Sequence, residues 1–175
     1  MKINYIGSQM LSRDLQNTGP FNTPFESGLR AICILGENTD LAFDLQHMLA
    51  FDHLVVHSGD IQGGPDSLHI ETQSRNGELL VRRPIIESGL DLMRSKGLIE
   101  LIFDEQGIGY KATEFSTVFL NSMTCIYISE LRKRASWAID LFMSVERDFF
   151  AEIFNVAFDR WTTEFQFSEI SLEEN

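Results

Sequence analysis

The stretch that decides the fold is residues 77–113, GELLVRRPIIESGLDLMRSKGLIELIFDEQGIGYKAT. Pro84 suits the first position of a helix, where a missing N–H costs nothing. A helix running unbroken from Gly77 would instead have to carry that proline in its interior. Ile85, Ile86, Leu90, Leu92 and Met93 then recur at helical spacing, and Gly97 after Lys96 is a C-terminal stop. Leu98, Ile99, Leu101, Ile102 and Phe103 form a short run rich in strand formers, and Asp104–Gly107 can turn it back into residues 108–113. The pattern predicts a helix, a tight stop and a two-stranded hairpin.

Upstream, Thr23-Pro24-Phe25-Glu26 is a strong helix start, with Thr23 as cap, Pro24 at the first position and Glu26 closing a capping box. Phe25, Leu29, Ile32 and Leu35 follow one face, and Gly36 ends the helix. A second helix is expected from an Asp40 cap to about His57, with Leu41, Leu45, Met48, Leu49 and Val55 inward. Two helices before a helix-plus-hairpin unit give the order of a winged helix-turn-helix. Between them lies a turn-rich segment containing Gly59, Gly63, Gly64 and Pro65, a loop long for a compact domain and read as an insertion over about residues 57–76.

After the hairpin, a helix capped by Thr113 is expected to Asn121, with Phe115, Val118 and Phe119 inward. A longer helix follows over 126–145, with Ile128, Leu131, Ala135, Ala138 and Phe142 on one stripe. A third, over 146–165, is apolar over a broad surface that includes Phe149, Phe150, Phe154, Phe158 and Trp161. The fold class is therefore mostly α with a small β-hairpin. The expected organisation is an N-terminal arm (1–20), a winged-helix-like domain (21–121), a C-terminal helical extension (122–167) and an acidic tail (168–175).

Composition narrows the function. The 175 residues are 43% hydrophobic with 14 Phe, which excludes a disordered chain. The formal charge is −12, so the surface as a whole is unsuited to phosphate neutralisation. Residues 75–134 hold nine Lys/Arg against eight Asp/Glu, so that stretch carries +1 and the remainder −13. Cys33 and Cys125 have neither ligand nor disulfide spacing and read as small buried apolar residues. MKINYIGSQM lacks the apolar core of a signal peptide, and no apolar run approaches ~18 residues, which points to a cytoplasmic protein without a membrane span.

Three constellations invite chemistry. His53 and His57 lie one helical turn apart, as in a helical metal site that would make the protein a metal-dependent hydrolase. Leu54, however, occupies the place where a zinc-protease motif needs Glu, and histidines that cap the helix end and line the following loop are the simpler account of the pair. His57, Ser58 and Asp60 contain the residue types of a triad, but without a nucleophile elbow, and Ser58 and Asp60 suit local turn bonds. No catalytic set and no cofactor site emerges. As for DNA, the third helix carries Glu87 and Asp91 and the hairpin tip is Asp104-Glu105-Gln106-Gly107, the wrong sign for phosphates. A DNA-binding transcription regulator is thus the weaker alternative. Arg132-Lys133-Arg134 reads as a solvated face, or as a contact to DNA or an acidic partner.

Four stretches, FNTPFESGLRA (21–31), LAFDHLVVHSGDIQGGPDSLH (49–69), GELLVRR (77–83) and SKGLIELIFDEQGIGYKATEF (95–115), resemble the middle component of bacterial ABC-three-component systems, a group that includes the small subunit of Lamassu-type anti-phage systems. The resemblance covers about residues 21–120. It implies a non-catalytic accessory subunit that bridges an SMC/Rad50-like coiled-coil ATPase and an effector, often a nuclease, with DNA met indirectly through the complex. Under it, partner contacts are expected at His57, Ser58, Asp60, Arg82 and Arg83 near the loop, and at Phe154, Phe158 and Trp161 on the last helix.

Overall fold

The computed structural model describes residues 23–69, 75–105 and 107–144. Among them are five α-helices and one two-stranded antiparallel sheet, in the order α1 (Pro24–Glu37), α2 (Leu45–Val56), α3 (Arg75–Ser95), β1 (Ile99–Asp104), β2 (Gly107–Ala112), α4 (Glu114–Ser122) and α5 (Ile126–Ser144). The expected arm, the helix over 146–165 with Phe154, Phe158 and Trp161, the acidic tail and Gln106 lie outside the described residues. No helix among the described residues is long and apolar enough to cross a membrane.

Helix α1 is the centre of the molecule. It starts as its sequence predicts: Thr23 Oγ1 accepts from the Glu26 amide at 3.3 Å, and the Glu26 carboxylate accepts from the Thr23 amide at 3.0 Å. Its burial corrects the one-face expectation. Every residue from Ser27 to Leu35 is buried, while Phe25 is exposed, because α2, α3, α4, α5 and β2 surround the helix. A helix buried on all sides needs close approaches, and two glycines supply one. A methyl group on Gly89 of α3 would lie 2.7 Å from the Gly28 amide nitrogen and 2.8 Å from the Pro24 carbonyl of α1.

Two boundaries move. Helix α2 begins at Leu45 behind an Asp44 cap, whose carboxylate accepts from the His47 amide at 2.8 Å, rather than at Asp40. The residues before it are held extended because Phe43 exchanges backbone hydrogen bonds with Tyr110 of β2 at 2.8 and 3.0 Å. The Phe43 ring also packs edge-on against Phe51 and Phe142. Helix α3 runs through Pro84 instead of starting there. An interior proline forfeits a backbone bond. Here the helix is anchored on both sides of it, by buried Arg82 before and by Ile86, Leu90 and Met93 in the core after.

The end of α3 and the hairpin follow the sequence closely. Gly97 adopts a positive φ of 72°, its amide donates to Arg94 and the Leu98 amide to Met93, the paired bonds of a Schellman stop. β1 and β2 pair from Ile99↔Ala112 to Asp104↔Gly107. Helix α4 departs from expectation. Thr113 sits at its cap, but its hydroxyl donates back to the Gly97 carbonyl at 2.7 Å, and Ser116 does the same to Leu98. These bonds turn Ser116 and Leu120 inward and leave Phe115 and Val118 exposed. Cys125 is likewise exposed, whereas Cys33 is fully buried and its burial pushes the thiol up to about 12. On α5 the expected stripe faces the core.

Replacing Gly89 by Ala puts a methyl group against α1 backbone that cannot rotate away. Denaturant titration is expected to show a loss of about 1–3 kcal/mol. An unchanged midpoint would contradict the close crossing of α1 and α3.

Candidate functional site

The polar centre of the protein is built where α1, α2 and α3 meet. Asp52 of α2 accepts from Arg30 Nε at 2.6 Å and from a second Arg30 nitrogen at 3.3 Å, while Arg82 of α3 donates to the same carboxylate at 3.3 Å. All three residues are at most 3% exposed. Burial works against the Arg30 charge, but Asp52 and Tyr127 outweigh it, so its pKa lies above the ordinary value. A buried carboxylate between two guanidiniums is held by its hydrogen bonds as much as by charge.

From Arg30 the network continues to α5 and the loop. Arg30 donates to the Tyr127 hydroxyl, which lies 3.1 Å from His69 Nε2. Since a guanidinium can only donate, the Tyr127 oxygen accepts from Arg30, while the donor in the Tyr127–His69 bond is set by the His69 tautomer. Burial first, then the charges of Arg30, His57 and Arg82, lower the His69 pKa from 6.5 to about 4. The buried His57 ring stands 4.8 Å from His53 and 6.3 Å from His69, centre to centre, and His53 Nε2 is 3.5 Å from the Asp60 carboxylate.

The loop itself is folded back on the core. Residues 58–60 form a single 3-10 turn, and the Ser58 hydroxyl donates to the Asp66 carbonyl at 3.1 Å. Arg134 of α5 donates to that same carbonyl at 2.9 Å. The Leu68 and His69 amides both donate to Val56 at 3.0 Å, extending α2 into the returning strap. Gly64 fits between the Ser58 carbonyl and the Trp137 ring, where a Cβ would collide with the carbonyl and crowd the ring. The segment HSGDIQGGPDSLH is thus a strap across α2 and α5, with Gly64 required by close approach.

A family model described as ABC-three component (ABC-3C) system Middle Component 2 matches residues 20–164. The chain belongs to this family. No curated protein and no solved structure matches it. A middle component of a multi-subunit system works with protein partners, and the placement of each candidate residue bears on where they bind.

In this middle component, His57, Ser58 and Arg82 lie buried inside the polar centre. Arg83 is at the surface, 3.2 Å from Glu87, and Asp60 borders His53. The basic run divides. Lys133 is exposed beside Glu130 at 2.6 Å, and Arg132 lies near Glu37 and Asn121. Arg134 is 8% exposed and donates to the Asp66 carbonyl and the Glu130 carboxylate. Among the described residues no group of three His, Cys, Asp or Glu is arranged to hold a metal ion, so His53 and His57 have no third ligand there. The outer face of α3 presents Glu87 and Asp91, paired with Arg83 and Arg94, and the hairpin tip presents Asp104 and Glu105.

Arg30, Asp52, Tyr127 and Trp137 were not singled out by their sequence context, although a signal existed. Arg30 and Asp52 are lone charges inside the apolar runs GLRAICIL and LAFDHLVV, and charges are almost never fully buried unless paired.

Asp52→Asn removes the shared counter-charge and leaves two buried guanidiniums. Its expected cost is about 3–5 kcal/mol in denaturant unfolding. A loss below 1 kcal/mol would show that the cluster behaves like a surface pair. For His69 the folded pKa is below the unfolded one, so its contribution is complete above pH 6.5 and is lost as pH falls toward about 4. Over that window the wild type is expected to lose more stability than His69→Gln, and equal losses would contradict the lowered pKa.

Proposed function

We propose that this middle component is a non-catalytic adaptor of an anti-phage or anti-plasmid defence complex in the cytoplasm. Its winged-helix-like domain joins an SMC/Rad50-like coiled-coil ATPase to an effector subunit, often a nuclease, and meets DNA only through the assembled complex. The observation that carries the reading is the family match over residues 20–164. Three physical features support it. The helix-helix-helix-hairpin order is that of a winged helix. The surfaces that a DNA-reading winged helix would turn to phosphates carry Glu87, Asp91, Asp104 and Glu105 in a chain of net charge −12. Of the triad-like set His57, Ser58 and Asp60, the Ser58 hydroxyl is committed to the Asp66 carbonyl within the strap and Asp60 lies beside His53.

Co-expression with the coiled-coil ATPase encoded beside it tests the proposal. A tag on this chain is expected to retrieve the ATPase in fixed stoichiometry through size exclusion. Separate elution of the two proteins at micromolar concentration would overturn it.

A further inference from the structure

The hairpin carries an unfilled place for one more strand. Its inward face runs from Ile99 and Ala112, 2% and 4% exposed, through half-buried Leu101 and Tyr110, to Phe103 and Ile108, 72% and 53% exposed. Phe103 and Ile108 are register partners, so the apolar face continues past the edge of the core. The two sides of the sheet also differ. Tyr110 turns its amide and carbonyl to Phe43, away from β1. Antiparallel pairs alternate between bonded and unbonded, so Leu101, opposite Tyr110, turns its own backbone groups away from β2, and Phe103 does the same two residues on. Among the described residues no strand pairs with that outer edge of β1.

We propose that the outer edge of β1 accepts an extended segment of a partner protein as a third strand, with apolar and Lys/Arg residues alternating. Backbone bonds to Leu101 and Phe103 supply the pairing, and the alternation matches the two faces of β1. On the inward face the added strand meets Leu101 and Phe103. On the other it meets Glu100, Ile102 and Asp104, with Lys111 opposite Glu100 on β2, and the two carboxylates flanking Ile102 favour basic residues in the added strand. A second copy of this chain fits less well, because the antiparallel register that pairs Leu101 of one copy with Phe103 of the other sets Glu100 opposite Asp104. The inference rests on the adaptor reading and names one of its contact surfaces.

The test uses the full chain and a fluorescein-labelled peptide of alternating valine and lysine, with a valine–glutamate peptide as control. The valine–lysine peptide is expected to bind, and Phe103→Asp to weaken binding by about tenfold or more. Saturation should slow amide exchange at Leu101 and Phe103 in NMR spectra while leaving Ile102, already bonded to Gly109, unchanged. Absence of binding, equal binding of both peptides, or binding without protection of those two amides overturns the proposal. Protection that grows with protein concentration alone assigns the edge to a second copy and overturns it as well. Since no ATPase is present, failure here leaves the co-purification result, and the adaptor reading, standing.

Discussion

The Asp52 carboxylate, held between Arg30 and Arg82, ties together the three helices on which everything else is mounted. Replacing such a cluster with apolar residues can be neutral, whereas removing one member leaves a charge stranded in a low dielectric. Its effect is therefore chiefly one of specificity. Only the packing that brings α1, α2 and α3 to a common point satisfies all three charges. The glycine crossing at Gly28 and Gly89 sets the same geometry from the other side by letting α1 and α3 approach.

The strap inherits its position from that centre. Tyr127 connects Arg30 to His69, the Val56 carbonyl accepts from both Leu68 and His69, and Arg134 holds the Asp66 carbonyl. Residues that would suggest a reactive loop if exposed become the means by which a long connection is fixed without regular structure. Among the described residues, exposed apolar and basic groups lie at the periphery, among them the far end of the hairpin, the Phe115–Val118 face of α4, Arg83, and Lys133 on α5. For a family that functions as a middle component, a rigid interior with several outward apolar sites is a suitable construction.

Local chemistry was legible in the sequence. The Thr23 capping box, the Gly97 stop, the hairpin and the stripe of α5 are each determined by residues within a few positions of one another, and each stands where its pattern places it. The departures are non-local. Pro84 is carried inside α3 because residues on both sides of it are anchored to other helices. Asp40 yields to Asp44 because Phe43 is captured by Tyr110, far along the chain. Phe115 and Val118 face outward because Thr113 and Ser116 bond back to the end of α3 and the strand that follows. The polar centre escaped for the same reason. No spacing rule links Arg30, Asp52 and Arg82, and only the lone charges within apolar runs hinted at it. The last aromatic-rich stretch, with Phe154, Phe158 and Trp161, lies beyond the described residues.

The central claim is that one buried ionic cluster makes the helices and the strap a single cooperative unit. Native-state hydrogen exchange on the full chain tests it most directly, comparing the Leu68 and His69 amides with those of Leu54 and Val55 in α2. The account predicts that all four exchange only through global unfolding, with the same opening free energy and the same denaturant dependence. Strap amides that exchange by local opening, several kilocalories per mole below α2, would contradict it and make residues 57–69 an independent loop.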